Sequence, residues 1–322
     1  MKRNHLLSAF LFFFFSLACF TSFAGNEKPD TVKTGIYITS IHDIDFKQKE
    51  YTIDLWLWLK YKNKEFDFLQ NLEIPQAKSV VKSFSTVDSS DGKIYLLMKL
   101  QCVMMDSWRI SNFPFDHQDL RFSIENSQYD SRTLVFVSDT TGKHYDPLFT
   151  LRGWNIDSFT VSAGKKAYET DFGDETLEKP HVVYSSFKVK IGIQRYAADL
   201  FWKIFIGMYV AFLIAYMCFY IHADNIDSRF SLSVGALFAA IGNKYIIDSS
   251  LPESTSLTLV DILHGITLIF IFTVVAASAW ALYLIKKDKV KEANRYDRII
   301  SMVLLALFLL LNFYFIWRAT RG

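Results

Sequence analysis

Cysteine is scarce, with three in 322 residues. Cys19 falls in an N-terminal apolar run, Cys102 in a strand-like segment and Cys218 in a long hydrophobic stretch, so they supply neither a disulfide framework nor a metal site. Charge of one sign is lacking as well. A formal net charge of +2 says nothing in favour of a nucleic-acid partner, and none is expected. Nor is there a nucleophile paired with a base, a ligand cluster for a metal, or a glycine-rich phosphate loop, which excludes the main enzyme classes and implies no cofactor.

What the chain has instead is apolar and aromatic bulk: 51% hydrophobic and 16% aromatic residues. Residues 1–24 have the form of a secretory signal, with Lys2 and Arg3, the apolar run Leu6 to Phe20, and Ser22-Phe23-Ala24 as a small-x-small cleavage site. An uncleaved anchor is the alternative, though the run is short for a span. From 25 to 199 short apolar runs alternate with polar turns, which predicts an all-β sandwich or barrel. In "DLWLWLK" the alternation sends Leu55, Leu57 and Leu59 to the core and Trp56 and Trp58 outward.

After Leu200 the composition changes. The runs Ile204 to Ile221, Gly265 to Ile285 and Ile299 to Trp317 carry no charged side chain and are long enough to cross a bilayer as helices. A fourth segment, "RFSLSVGALFAAIGNKYIIDSS", is long enough but too polar for lipid, and must be shielded by other helices or line water. The predicted helices cover about 201–221, 228–249, 257–285 and 297–318, within a membrane domain of residues 200–322. An exported β domain and four crossings place the loop "KKDKVKEANRYDR" inside, in agreement with its basic residues.

One β-domain segment is unusual. In "SNFPFDHQDL" a proline separates two phenylalanines ahead of an aspartate, which reads as a tight turn displaying Phe113 and Phe115 around Pro114. Such rings require a surface to pack on.

Phe113-Pro114-Phe115-Asp116 with Gln118, "TGIYITSIHDIDF", "GWNIDSFT", "IQRYAADLFW", "DSRFSLSVGALF" and "SSLPES" occur in the order that resembles the pentameric ligand-gated ion channels in their bacterial form. The likeness covers nearly the whole chain after the signal. It implies an extracellular β-sandwich, a four-helix membrane bundle, and five identical copies around a pore in a bacterial cell membrane. It also implies that the turn sits at the base of the β domain among the outer ends of the helices. The cysteines that close this loop in animal receptors are replaced by Asp106 and Leu120. Gly207 stands where many members have proline, and no tryptophan follows "RFSIEN".

The resemblance gives roles to residues whose plain chemistry has other readings. Ser231, Gly235, Phe238, Gly242, Tyr245 and Ser249 recur at steps of four and three on one helix face. Small residues at that spacing also suit helix packing, but the resemblance turns the stripe to the pore axis and makes Phe238 a dewetting gate. Asp227 below it would form a carboxylate ring preferring monovalent cations, or simply favour the helix dipole; Arg229 is turned away. Arg195, Asp116 and Asp45 or Asp43 would meet at the domain junction and couple the two halves, unless they form only a surface network.

Trp56 and Trp58, facing Tyr129, Tyr168 and Phe172 of a neighbouring copy, would bind an agonist such as an organic amine, or serve only as interface anchors. The acidic "YETDFGDETLE" lacks the ordered spacing of a calcium loop. Among seven histidines, His42, His117, His222 and His264 fall near the junction or helix ends and keep proton gating open. The expected function is a ligand- or proton-gated, cation-preferring channel. A membrane-anchored sensor without conduction is the alternative, for which the short loop Lys286 to Arg298 leaves no room for an output module.

Overall fold

The computed structural model describes residues 28–146, 148–149, 151–173 and 181–321. The signal expected over residues 1–24 lies outside them, as does the end of the acidic run from Asp174.

Two sheets form the β half. Strands β4 (Ala77–Ser90), β5 (Lys93–Met105), β2 (Glu50–Tyr61), β1 (Asp30–Asp45) and β7 (Leu134–Ser138) lie side by side in that order. The second sheet runs β3 (Leu72–Glu73), β6 (His117–Asn126), β9 (Val182–Arg195) and β8 (Trp154–Tyr168). Period-two patterning makes this a sandwich. Leu55, Leu57 and Leu59 are fully buried between the sheets with Met98, Phe122, Phe187 and Ile191. Each such side chain contributes about 1.5–3 kcal/mol through burial, so Leu57→Ala would cost about 2–5 kcal/mol. Trp56 and Trp58 are half-buried on the opposite face. The Trp58 indole lies directly over Gly35, where any Cβ would collide with the ring, and donates from Nε1 to Asp139 at 3.2 Å.

Four helices follow: α1 (Ala197–Tyr216), prolonged by a 3-10 turn to Tyr220, α2 (Ile226–Asp248), α3 (Leu259–Lys286) and α4 (Val290–Ala319). All four are long and apolar enough to cross a membrane. A capping box between Thr258 and Asp261 starts α3, satisfying backbone donors left free at its first turn. The fourth helix begins well before its apolar run, and Asp297 in this inner extension is drawn to Arg229 of α2 at 2.6 Å. That guanidinium, 1% exposed, also donates to the Ile221 carbonyl.

Gly207 has a local reason. Its missing side chain makes the space that Asn243 of α2 occupies, and a Cβ there would strike the amide oxygen. Asn243 Nδ2 then donates to the Ile204 carbonyl at 3.1 Å and reaches His264 Nε2 at 3.0 Å. His264 Nδ1 lies 2.9 Å from the Val260 carbonyl, which can only accept, so one amide joins α1, α2 and α3.

Candidate functional sites

The turn around Pro114 is where the two halves meet. Phe113 is buried among Ile110, Phe201, Leu259 and Leu263, and Phe115 packs on Phe201 with centroids 5.6 Å apart. The rings displayed by the turn thus have the apolar tops of α1 and α3 as their surface. Backbone continues the contact, the Leu259 N–H donating to the Ser111 carbonyl at 2.8 Å. From the loop after β1, Lys47 Nζ reaches the Ser249 carbonyl at the outer end of α2, 3.3 Å away.

Arg195, the last residue of β9, joins this junction to the sandwich. Its Nε donates to Asp116 Oδ1 at 3.0 Å, with side chains 12% and 1% exposed. The guanidinium carbon sits 4.0 Å from the Trp154 ring centroid, 4.8 Å from Phe46 and 5.0 Å from Phe113. An arginine can fill such a cage because its weakly hydrated planar cation stacks on rings while its edge forks to a carboxylate. Gln118 donates to Asp116 Oδ2 at 2.7 Å and so orients the carboxylate. Asp45 takes another partner, accepting from the Gln48 N–H at 2.8 Å. Asp43 lies against His42 at 2.7 Å.

His42 also reaches Asp54 at 3.1 Å. Partial burial opposes its charged form, but hydrogen bonds to Asp43 and Asp54 outweigh this and raise its pKa above 6.5. Asp106, at one of the positions left by the absent cysteines, forms an ion pair with Arg121 through two guanidinium nitrogens. This pair brackets the loop that animal receptors close covalently, while Leu120 is buried in the core. No disulfide forms among the described residues, and Cys102 and Cys218 are free and buried. Burial pushes the Cys102 thiol up to about 12.

Along α2, Asp227, Ser231, Gly235, Phe238, Gly242, Tyr245 and Ser249 are all exposed in the single chain, whereas Arg229, Ser233, Ala236, Ala240 and Ile247 are buried against its other helices. Phe238 and Tyr245 are 67% and 76% exposed, so one polar and aromatic stripe is unused by the chain's own packing.

At the end of the second sheet Tyr168 of β8, Tyr184 of β9 and Phe172 of the turn after β8 form an aromatic cluster, Tyr168 being 5.8 Å from Tyr184 and 5.4 Å from Phe172 between centroids. With Glu73, Glu125 and Ser127 they line a recess of about 290 Å³. Glu125 is 2% exposed; its Oε2 accepts from the Tyr168 hydroxyl at 2.8 Å, while Oε1 has no hydrogen-bond partner. Burial and this carboxylate push the Tyr168 phenol above its ordinary pKa. Tyr129 is not in the recess. It packs tilted against Phe66, with centroids 4.9 Å apart. Trp56 and Trp58 belong to the other sheet, so only a second copy could bring them to the recess.

Sequence reasoning missed Glu125, Tyr184 and Glu73, the acidic part of this site. Glu125 ends a run that reads as plain strand, and only its pairing with Glu73 across β6 and β3 marks it as a rim residue. Asp297 was hidden in a basic loop.

No family model matches the chain. It is 22% identical over 308 residues to a proton-gated ion channel of Gloeobacter violaceus, covering 89% of this chain and 82% of that one. A neuronal acetylcholine receptor subunit, non-alpha-2, of Carassius auratus is 21% identical over 70% of this chain. A glutamate-gated chloride channel of Drosophila melanogaster is 19% identical over 77% of it. The matches span 51% and 58% of those animal relatives.

Proposed function

We propose, from the premise that the chain belongs to the pentameric ligand-gated ion channels in their bacterial form, that five copies enclose a cation-preferring pore lined by α2. As a member of that family it is a multi-pass membrane channel with its β domain outside. The observation that carries the pore reading is the α2 stripe. A membrane helix facing lipid would not expose Asp227, Ser231 and Ser249 on one side, and its alanine side already serves packing within the chain.

Asp227 at the inner end would set ion sign. A unit charge about 4 Å from an ion contributes roughly 1 kcal/mol in water and more in a narrow, low-dielectric mouth, so a ring of five favours cations. Since one relative is a chloride channel, the sign has to be measured. Purified protein in a planar bilayer under a sodium chloride gradient should reverse near the sodium potential, and Asp227→Ala should move reversal toward chloride. Reversal of the parent at the chloride potential overturns the cation assignment. Absence of any unitary current, under amines or acid, favours a sensor without conduction.

For the stimulus, the recess around Tyr168 suits an organic cation: a buried carboxylate with a free oxygen, and aromatic faces around it. The neighbouring copy's Trp56 and Trp58 would complete it. Protons are the second route, and His42 between two carboxylates supports it.

A further inference from the structure

The recess is not vacant of positive charge. Lys166 of β8 stands two residues before Tyr168, and side chains two apart on a strand share a face. Its ammonium lies 4.5 Å from the centroid of the Tyr168 ring and 3.9 Å from Glu125 Oε1. Both groups are ones an amine in this recess would use, the π face and the carboxylate oxygen that lacks a hydrogen bond. We propose that Lys166 is a built-in competitor, an ammonium tethered at the cation subsite that an activating amine must displace; this rests on the recess being the agonist site.

Three features make it a displaceable occupant rather than a structural pair. At 3.9 Å the ammonium is beyond hydrogen-bond reach of Oε1, so the strongest bond the subsite offers is left unmade. The Lys166 side chain is 34% exposed whereas that of Glu125 is 3% exposed, giving the lysine a route to solvent that the carboxylate lacks. Its aromatic contact is with its own strand, and its approach to another element, Glu125 of β6, stops at an unbonded 3.9 Å. Lys166 therefore meets the charge requirement of the subsite without making the hydrogen bond that a free amine can make there.

The competition has a chemical signature. A primary ammonium can replace Lys166 at both the ring and the carboxylate, whereas tetramethylammonium, without N–H groups, replaces it only at the ring. The test is a concentration series of benzylamine and of tetramethylammonium on full-length channels in bilayers, comparing the parent, Lys166→Gln, Lys166→Arg and Lys165→Gln. Lys165 removes the same charge from the adjacent position, whose side chain points to the other face of the strand. Losing an aromatic cation contact of the usual strength corresponds to about 2- to 30-fold in affinity. Lys166→Gln should lower the half-activating benzylamine concentration by an amount in that range, and more than it does for tetramethylammonium. Lys166→Arg and Lys165→Gln should stay near the parent, and no variant should open without amine.

Activation of Lys166→Gln alone, with a silent parent, supports the proposal in its strongest form. A parent activated by benzylamine with Lys166→Gln unchanged or shifted to higher concentration overturns the competitor and leaves the agonist site standing. So does an equal shift in Lys165→Gln, which would show a diffuse charge effect. If neither parent nor Lys166→Gln responds to either amine, the competitor and the agonist site fall together.

Discussion

Arg195 combines two demands that a surface ion pair does not make. It is a charge taken out of water and compensated by a single carboxylate plus three aromatic faces. Removing one partner of such a buried pair costs about 3–5 kcal/mol, because the other charge is left stranded. Arg195→Ala should lower the unfolding midpoint of the detergent-solubilised protein, and adding Asp116→Asn should recover most of that loss. Evoked current should stay low in both if the pair transmits motion; recovery of current with stability would make it a structural residue only. His42 gives a pH dependence of known sign. Its pKa is raised in the folded protein, so the stabilisation is complete below its ordinary value of 6.5 and is lost as pH rises through the raised one. Between about pH 6 and pH 8 the unfolding midpoint should fall more in the parent than in His42→Gln. Parallel curves would show that the Asp43 and Asp54 contacts carry no such linkage.

The helix α2 is where periodicity was most informative. A stripe at steps of four and three could be read directly, and its residues from Asp227 to Ser249 are all exposed in the single chain, as are Leu232, Val234, Ile241 and Ile246 beside it. Phe238 is the large apolar side chain between two glycines on that face, so Phe238→Ser should wet the constriction and raise current without agonist. A channel that remains silent until stimulated would move the barrier to Tyr245 or to the inner ring. The alternation of β2 was equally legible because burial on one face of a strand leaves a period-two record. Pairings between distant elements were not legible. The glycine at 207 looks like a simple departure until Asn243 is seen filling its place, and the partner of Arg229 lies in a segment whose many lysines suggest only a solvated loop. Neither relation leaves a periodic trace, since each depends on how two helices cross.

The assembled channel needs surfaces that one chain leaves uncovered. On the outer face of the five-stranded sheet Trp56 pairs across to Lys99 and on to Phe84, while Asp54, Gln101 and Val81 form the next row. Val81 and Phe84 are 55% and 49% exposed, an apolar strip continuous with the tryptophans proposed for the ligand site. Burying each such side chain between copies is worth about 1.5–3 kcal/mol. Val81→Lys with Phe84→Lys should shift the purified protein from pentamers to smaller species in light scattering. An unchanged mass would place the subunit contact elsewhere. The link between β half and helices has a different character, because the bond from the Leu259 N–H to the Ser111 carbonyl belongs to the main chain. Alanine scanning passes over it: serine, alanine or tryptophan at 111 presents the same oxygen, and any residue but proline at 259 presents the same hydrogen. An amide-to-ester exchange at 259, by semisynthesis or nonsense suppression, removes that donor while keeping the side chain, at the cost of a weaker Thr258 carbonyl, and makes visible a joint that inherited variation can scarcely reach.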